Sequence, residues 1–206
     1  MYNYLMKFDK SKCIFGDSPK TGCTSMKTIL AAREKPFNPL VTRNPGSKAL
    51  SKYIPDIYVD KDKEYEGYYK FVFVRNPFDR LVSAWKWGMH GFVDWRQESF
   101  GDFVTSLMEG GSRELKDTSD QKANHVVPWT WLFDKEYFDF VGRFENLPKD
   151  WEVVAKRLGI KSQLPVRNKT EHCHYSVYYN DDLIDWVSKF YKKEIELFDY
   201  EFEEEE

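Results

Sequence analysis

Residues 16–30 read G-D-S-P-K-T-G-C-T-S-M-K-T-I-L, from Gly16 to Leu30, and the fold class follows from this stretch. A short apolar run, Cys13, Ile14 and Phe15, precedes it, and Met26, Ile29 and Leu30 fall at helical spacing after it. That layout predicts a strand, a tight turn and a helix N-terminus. Backbone N–H groups converge at such a turn, and the helix dipole adds partial positive charge there. Pro19 and Gly22 shape the turn, Thr24 and Ser25 bring hydroxyls, and Lys20 and Lys27 bring full charges. The stretch reads as a cradle for phosphate or sulfate.

The cradle departs from the nucleotide pattern G-x-x-x-x-G-K-[ST], whose lysine directly follows the second glycine. Here Cys23 holds that place and the lysine stands upstream at Lys20, with five residues rather than four between Gly16 and Gly22. A related backbone with a relocated cation points to a related ligand held differently.

At 206 residues the chain suffices for one domain with a sizeable core, and residues 1–206 are read as a single domain. A hydrophobic content of 41% with 32% charged residues describes a soluble globular protein, and no run of about 20 apolar residues suggests a membrane span. The first residues lack the apolar centre of a secretory signal, and three cysteines (Cys13, Cys23, Cys173) argue against a disulfide framework. A cytoplasmic location is the expectation. The net charge of −3 gives no global field for nucleic acid, so an anion site must be local.

Further along, residues 34–69 carry four prolines and read as loops, with one short helix around Ser47–Tyr53. Lys70–Val74 (K-F-V-F-V) predicts a buried parallel strand. Asn76-Pro77 then predicts a helix start, and Phe78, Leu81, Val82 and Trp85 give that helix one core face. Residues 85–97 suggest a loop or lid, Phe100–Met108 a helix ended by Gly110-Gly111, and Ser112–Lys122 an exposed polar stretch. Tyr137–Val141 reads as a second buried strand, Trp151 to Leu158 as a helix closed by Gly159, and Leu183 to Tyr191 as a last helix before an acidic tail at 201–206. Strands alternating with helices mean an α/β protein with a mostly parallel sheet.

Arg75 ends the second strand, at the edge where open α/β sheets bind ligands. Ser83 lies about 140° around the helix from Phe78 and is expected to point away from the core stripe. A guanidinium and a hydroxyl there suit an oxyanion.

Together, P-K-T-G-C-T-S (Pro19–Ser25) and R-N-P-F-D-R-L-V-S-A-W (Arg75–Trp85) resemble the sulfotransferases that use 3′-phosphoadenosine 5′-phosphosulfate (PAPS). The resemblance is to the carbohydrate (Golgi-type) family. It extends through Asn124-His125-x-x-Pro128, Val141-Gly142-Arg143-Phe144-Glu145-Asn146-Leu147, Leu164-Pro165-x-x-Asn168-Lys169 and Glu194–Phe202. It implies a P-loop-containing nucleotide hydrolase-like three-layer sandwich, PAPS as co-substrate, and a hydroxyl acceptor, most readily a carbohydrate. It further implies that Pro19, Lys20, Thr21, Gly22, Cys23, Thr24 and Ser25 hold the 5′-phosphosulfate, with Lys27 beside them. Arg75 and Ser83 would hold the 3′-phosphate, and Lys169 would close over the cofactor. Golgi members carry an N-terminal anchor and stem; this chain resembles a minimal soluble version, as expected of a bacterial or viral relative.

In-line transfer of a sulfuryl group builds charge on the departing phosphate oxygen, which a lysine and N–H donors stabilise. Lys20 suits that role. Phosphoryl-transfer P-loop enzymes use an apolar strand ending in Asp to hold magnesium, whereas these strands end in Arg75 and Gly142-Arg143, so no metal is expected. The acceptor hydroxyl needs a base. His125 is preferred, with Glu34, Asp94 and Glu98 as competitors, while His90, His172 and His174 lack such a setting. Trp87, Trp95 and Trp129 are candidate sugar platforms, Trp85 is core, and Cys23 is a small turn residue. An ATP-dependent kinase with a degenerate loop and a non-catalytic PAPS- or phosphate-binding protein stand as alternatives.

Overall fold

The computed structural model describes residues 4–34, 50, 54, 57–60, 63–88, 99–114, 121–165 and 173–205. Several expectations lie outside these residues. They are the short helix at 47–53 (Leu50 apart), the stretch 89–98 with His90, Asp94, Trp95 and Glu98, and the segment 166–172 with Lys169 and His172. The chain gathers into two compact units. One holds residues 3–74 and 133–169, and the other residues 1–2, 75–132 and 170–206.

The first unit is built on a four-stranded sheet in the order β1 (Leu5–Phe8), β2 (Cys13–Gly16), β3 (Tyr69–Val74) and β4 (Phe140–Arg143). β2, β3 and β4 run parallel and β1 is antiparallel to β2, which establishes the mixed α/β class with a mostly parallel sheet. The period of two along each strand sends Met6, Phe8, Cys13, Phe15, Phe71 and Phe73 into one core. Helices α1 (Cys23–Glu34) and α5 (Leu147–Leu158) complete that core with Met26, Ile29 and Leu30, and with Trp151, Val154 and Leu158. Gly159, at φ 62°, closes α5 as expected. Gly16 pairs with Val72, and a Cβ there would stand 2.7 Å from Val72 Cγ2, so the strands demand glycine.

The second unit is helical: α2 (Pro77–Trp87), α3 (Phe100–Glu114), α4 (Gln121–Val126), α6 (Asp181–Phe190) and α7 (Lys192–Phe198). Asn76 caps α2 as predicted, its Oδ1 accepting from Phe78 N at 3.1 Å, with Pro77 in the first turn. Phe78, Leu81, Val82 and Trp85 join Phe103, Val104, Val187 and Tyr191 in a second core.

The structure corrects several boundaries. α3 runs through Gly110-Gly111 to Glu114, because an interior glycine costs only about 1 kcal/mol and is no stop without a left-handed cap. The stretch expected to be exposed contains the start of α4, and residues 115–120 lie outside the described ones. β4 begins at Phe140 rather than Tyr137, since Asp134 accepts from Glu136 N and caps a 3₁₀ turn over Lys135–Tyr137. α2 buries more than one face, with Arg80, Ser83 and Ala84 buried alongside the apolar stripe. The acidic tail is pinned rather than solvated throughout. Phe202 packs on Phe78 at 5.1 Å between ring centroids, and Glu203 N donates to Tyr175 Oη at 2.7 Å.

Candidate active site

The cradle is formed by the turn between β2 and α1. Asp17, Ser18 and Thr21 are buried, and Thr21 Oγ1 donates to the Ser18 carbonyl at 2.8 Å, drawing the turn closed. Lys20 (φ 65°) and Gly22 (φ 78°) both adopt the left-handed region. For a lysine this costs about 1–2 kcal/mol, the kind of strain that functional turns retain. Gly22 tolerates it, and a Cβ there would also crowd Leu147 Cδ2 at 3.1 Å. Left-handed residues within a turn aim successive N–H groups into one concavity. The first turn of α1, starting at Cys23, adds N–H groups that helix geometry leaves without intrahelical partners. Pro19, Lys20, Gly22, Cys23 and Thr24 are partly exposed along this turn, and Ser25 is buried behind it. The donor set fits an oxyanion.

Lys27 sits deeper than its expected role as a direct ligand suggests. It is 5% exposed, and its Nζ lies 2.8 Å from both Asp17 oxygens. Burial works against its charge, but the Asp17 carboxylate outweighs this and holds the ammonium above its ordinary range. Lys27 therefore braces the turn against α1. Burial around the Cys23 sulfur pushes its thiol up to about 11, with Lys27 opposing and Asp17 reinforcing. At neutral pH it stays a thiol, which agrees with its reading as a small turn residue.

In the helical unit, Arg75 directly follows β3 and is buried rather than a surface residue. Its Nε and Nη2 each lie 2.7 Å from Asp79 Oδ2, one helical turn on. That contact fixes the plane of the guanidinium. Ser83, on the same helix, is 2% exposed. His125 lies near the end of α4, partly exposed, its ring stacked on Trp87 at 4.2 Å and 18°.

Other candidates have structural duties. Glu34 ends α1, about 16 Å from the cradle at 1.5 Å per residue, and accepts from Lys10 N at 2.9 Å and Ser11 N at 3.3 Å across the β1–β2 turn. That removes it as a base at the cradle. His174 caps a 3₁₀ turn, with Nδ1 2.8 Å from Ser176 Oγ. Trp129 is 1% exposed and meets Phe198 edge-on, so it offers no face to a sugar; Trp131, two residues on, is the exposed indole. Trp85 is core, as read.

The structure thus joins Lys27 to Asp17, Arg75 to Asp79 and His125 to Trp87. The sequence pointed to Lys27, to Arg75 and to both His125 and Trp87, but to neither carboxylate. The i,i+4 spacing of Arg75 and Asp79 was a usable signal for one of them.

Comparison with known proteins shows the family. The family model described as "Sulfotransferase family" matches residues 3–201. Human carbohydrate sulfotransferase 10 is 25% identical over 81% of this chain and 58% of its own length, and the mouse protein of that name is 26% identical over 74% and 51%. The chain therefore spans little more than half the length of these curated relatives. An uncharacterized protein of the archaeon Archaeoglobus fulgidus is 30% identical over 52% of the chain. No solved structure matches. Among the described residues no helix is long and apolar enough to cross a membrane. With the strand–turn–helix cradle lying inside a family match that spans nearly the whole sequence, this chain belongs to the sulfotransferase family.

Proposed function

We propose that the protein transfers the sulfuryl group of PAPS to a hydroxyl of a carbohydrate acceptor, with residues 1–206 working as one sulfotransferase domain. The observation that carries this reading is the cradle, in which left-handed Lys20 and Gly22 gather N–H donors at the start of α1. PAPS supplies an activated sulfuryl group and, on its loss, a stable bisphosphate. Pro19, Lys20, Thr21, Gly22, Cys23, Thr24 and Ser25 hold the 5′-phosphosulfate, and Lys27, neutralised by Asp17, keeps the turn in shape. Arg75, oriented by Asp79, and Ser83 hold the 3′-phosphate. Lys169 closes over the cofactor.

Lys20 places its charge where negative charge grows on the departing phosphate oxygen, which stabilises the transition state more than the ground state. His125 accepts the proton of the acceptor hydroxyl as the new S–O bond forms. Trp87 holds the imidazole by its face. The names of the curated relatives, carbohydrate sulfotransferases, support a glycan acceptor.

Transfer from PAPS to a glycan panel, followed through release of adenosine 3′,5′-bisphosphate, tests this reading. Lys20→Ala should lower kcat about 10²- to 10³-fold and change bisphosphate affinity by less than about threefold. Full activity in that variant would remove Lys20 from the chemistry.

A further inference from the structure

Buried groups converge on the segment that follows His125. Tyr191 Oη donates to the Val126 carbonyl, Arg80 Nη1 to the Val127 carbonyl at 3.1 Å, and Trp129 N to Glu194 Oε2 at 2.8 Å. Arg80 and Glu194 are joined through one nitrogen, Nη2 lying 3.0 and 2.8 Å from the two carboxylate oxygens. The guanidinium also lies over the Tyr191 ring at 5.1 Å. Arg80, Tyr191 and Glu194 are each no more than 3% exposed.

α4 has six residues, too few to hold its place by its own hydrogen bonds. Its last carbonyls have no acceptor role within the helix, and Tyr191 and Arg80 occupy those at the end that bears His125. A buried ion pair is a poor source of stability, since apolar replacements of similar volume often do as well. What apolar residues cannot do is grip two consecutive carbonyls and an N–H three residues after the first.

We infer that Arg80, Tyr191 and Glu194 are positioning residues that set the place of His125 against Trp87. Arg80 and Tyr191 fix the carbonyls of Val126 and Val127, and Glu194 orients Arg80 while holding Trp129 N. The inference rests on the reading of His125 as the base, and the ring's placement can be measured without substrate.

Tyr191→Phe removes one bond to the segment and keeps the ring under Arg80. Tyr179→Phe is its control, because Tyr179 Oη donates to the Phe78 carbonyl at 2.9 Å in the same core, on a different element. The first readout is kcat at saturating PAPS and acceptor. The second is the pH-dependent quenching of Trp87 fluorescence by His125, isolated by subtracting His125→Ala and Trp87→Phe. Tyr191→Phe should lower kcat about tenfold or more, leave KM for PAPS within about twofold and lose at least about half of the quench. Tyr179→Phe should lose comparable thermal stability and keep both kcat and quench.

Should Tyr191→Phe not fold, Arg80→Lys, which keeps a charge for Glu194 but loses the second nitrogen and its Val127 bond, should show the same pattern. Wild-type kcat and quench in the folded variant would overturn the inference, as would equal losses of kcat in the Tyr191 and Tyr179 variants. Full transfer by His125→Ala would defeat the base reading alone, while the quench in Tyr191→Phe would still decide the positioning.

Discussion

Two buried ion pairs, Lys27–Asp17 in the sheet unit and Arg80–Glu194 in the helical unit, look alike in exposure and differ in design. Lys27 reaches a carboxylate ten residues away, as a single ammonium against both oxygens, beside a turn that is partly open. Arg80 reaches 114 residues along the chain with Nη2 against both oxygens of a carboxylate that also accepts a backbone N–H, while its Nη1 holds the Val127 carbonyl. The local pair braces the turn between β2 and α1. The distant pair closes a core, and both oxygens of its carboxylate are engaged there. Buried charge by itself therefore does not mark a binding site; what counts is whether one partner stands beside a turn that a ligand can enter.

The largest effect should come from breaking the distant pair. Glu194→Ala leaves Arg80 buried and uncompensated, which should cost about 3–5 kcal/mol in denaturant unfolding, and no added anion should restore it. Burial already raises the Glu194 pKa despite Arg80 and the Trp129 N–H, which shows how dry that site is. Asp17→Asn should cost less, about 2–3 kcal/mol, because Lys27 lies against a more open turn. Adenosine 3′,5′-bisphosphate should recover part of that loss in a thermal shift. Equal rescue of both variants, or of neither, would erase the distinction drawn between the pairs.

The smallest effect belongs to the exposed contacts of Asp9, beside the β1–β2 turn. Lys7 Nζ and Tyr68 Oη donate to Asp9 at 2.8 and 2.6 Å and hold its pKa below the ordinary 3.8. A depressed carboxylate contributes stability above its unfolded pKa and loses it as pH falls through the folded one. Asp9→Asn should therefore cost no more than about 0.5 kcal/mol at pH 7, a cost that fades as pH falls towards about 2, measured by urea unfolding at each pH.

What could be read from sequence was local. The run ending at Val74, the Asn76 cap and the helix after Gly22 each depend on neighbours within a few residues, and each stands where it was expected. β1 has only four residues and owes its place to pairing with β2, so no pattern of its own announced it. α4 has six residues and is held by Tyr191 and Arg80 from elsewhere in the chain, so the stretch read as exposed ran into its first two residues. Trp129 seemed a sugar platform because spacing says nothing of Phe198 and Glu194, which enclose it. In the cradle Lys27 was legible and its partner Asp17 was not, since the pairing spans ten residues and follows no helical spacing.

The central claim is that the cradle and Arg75 hold the two ends of a 3′-phosphorylated adenosine nucleotide. Isothermal titration of the protein with adenosine 3′,5′-bisphosphate, set against ATP with magnesium, tests it most directly. The account predicts clear binding of the bisphosphate, at least about tenfold tighter than ATP–magnesium, and a loss of about tenfold or more in Arg75→Ala. Preference for ATP–magnesium, or a bisphosphate affinity unchanged by Arg75→Ala, would contradict it.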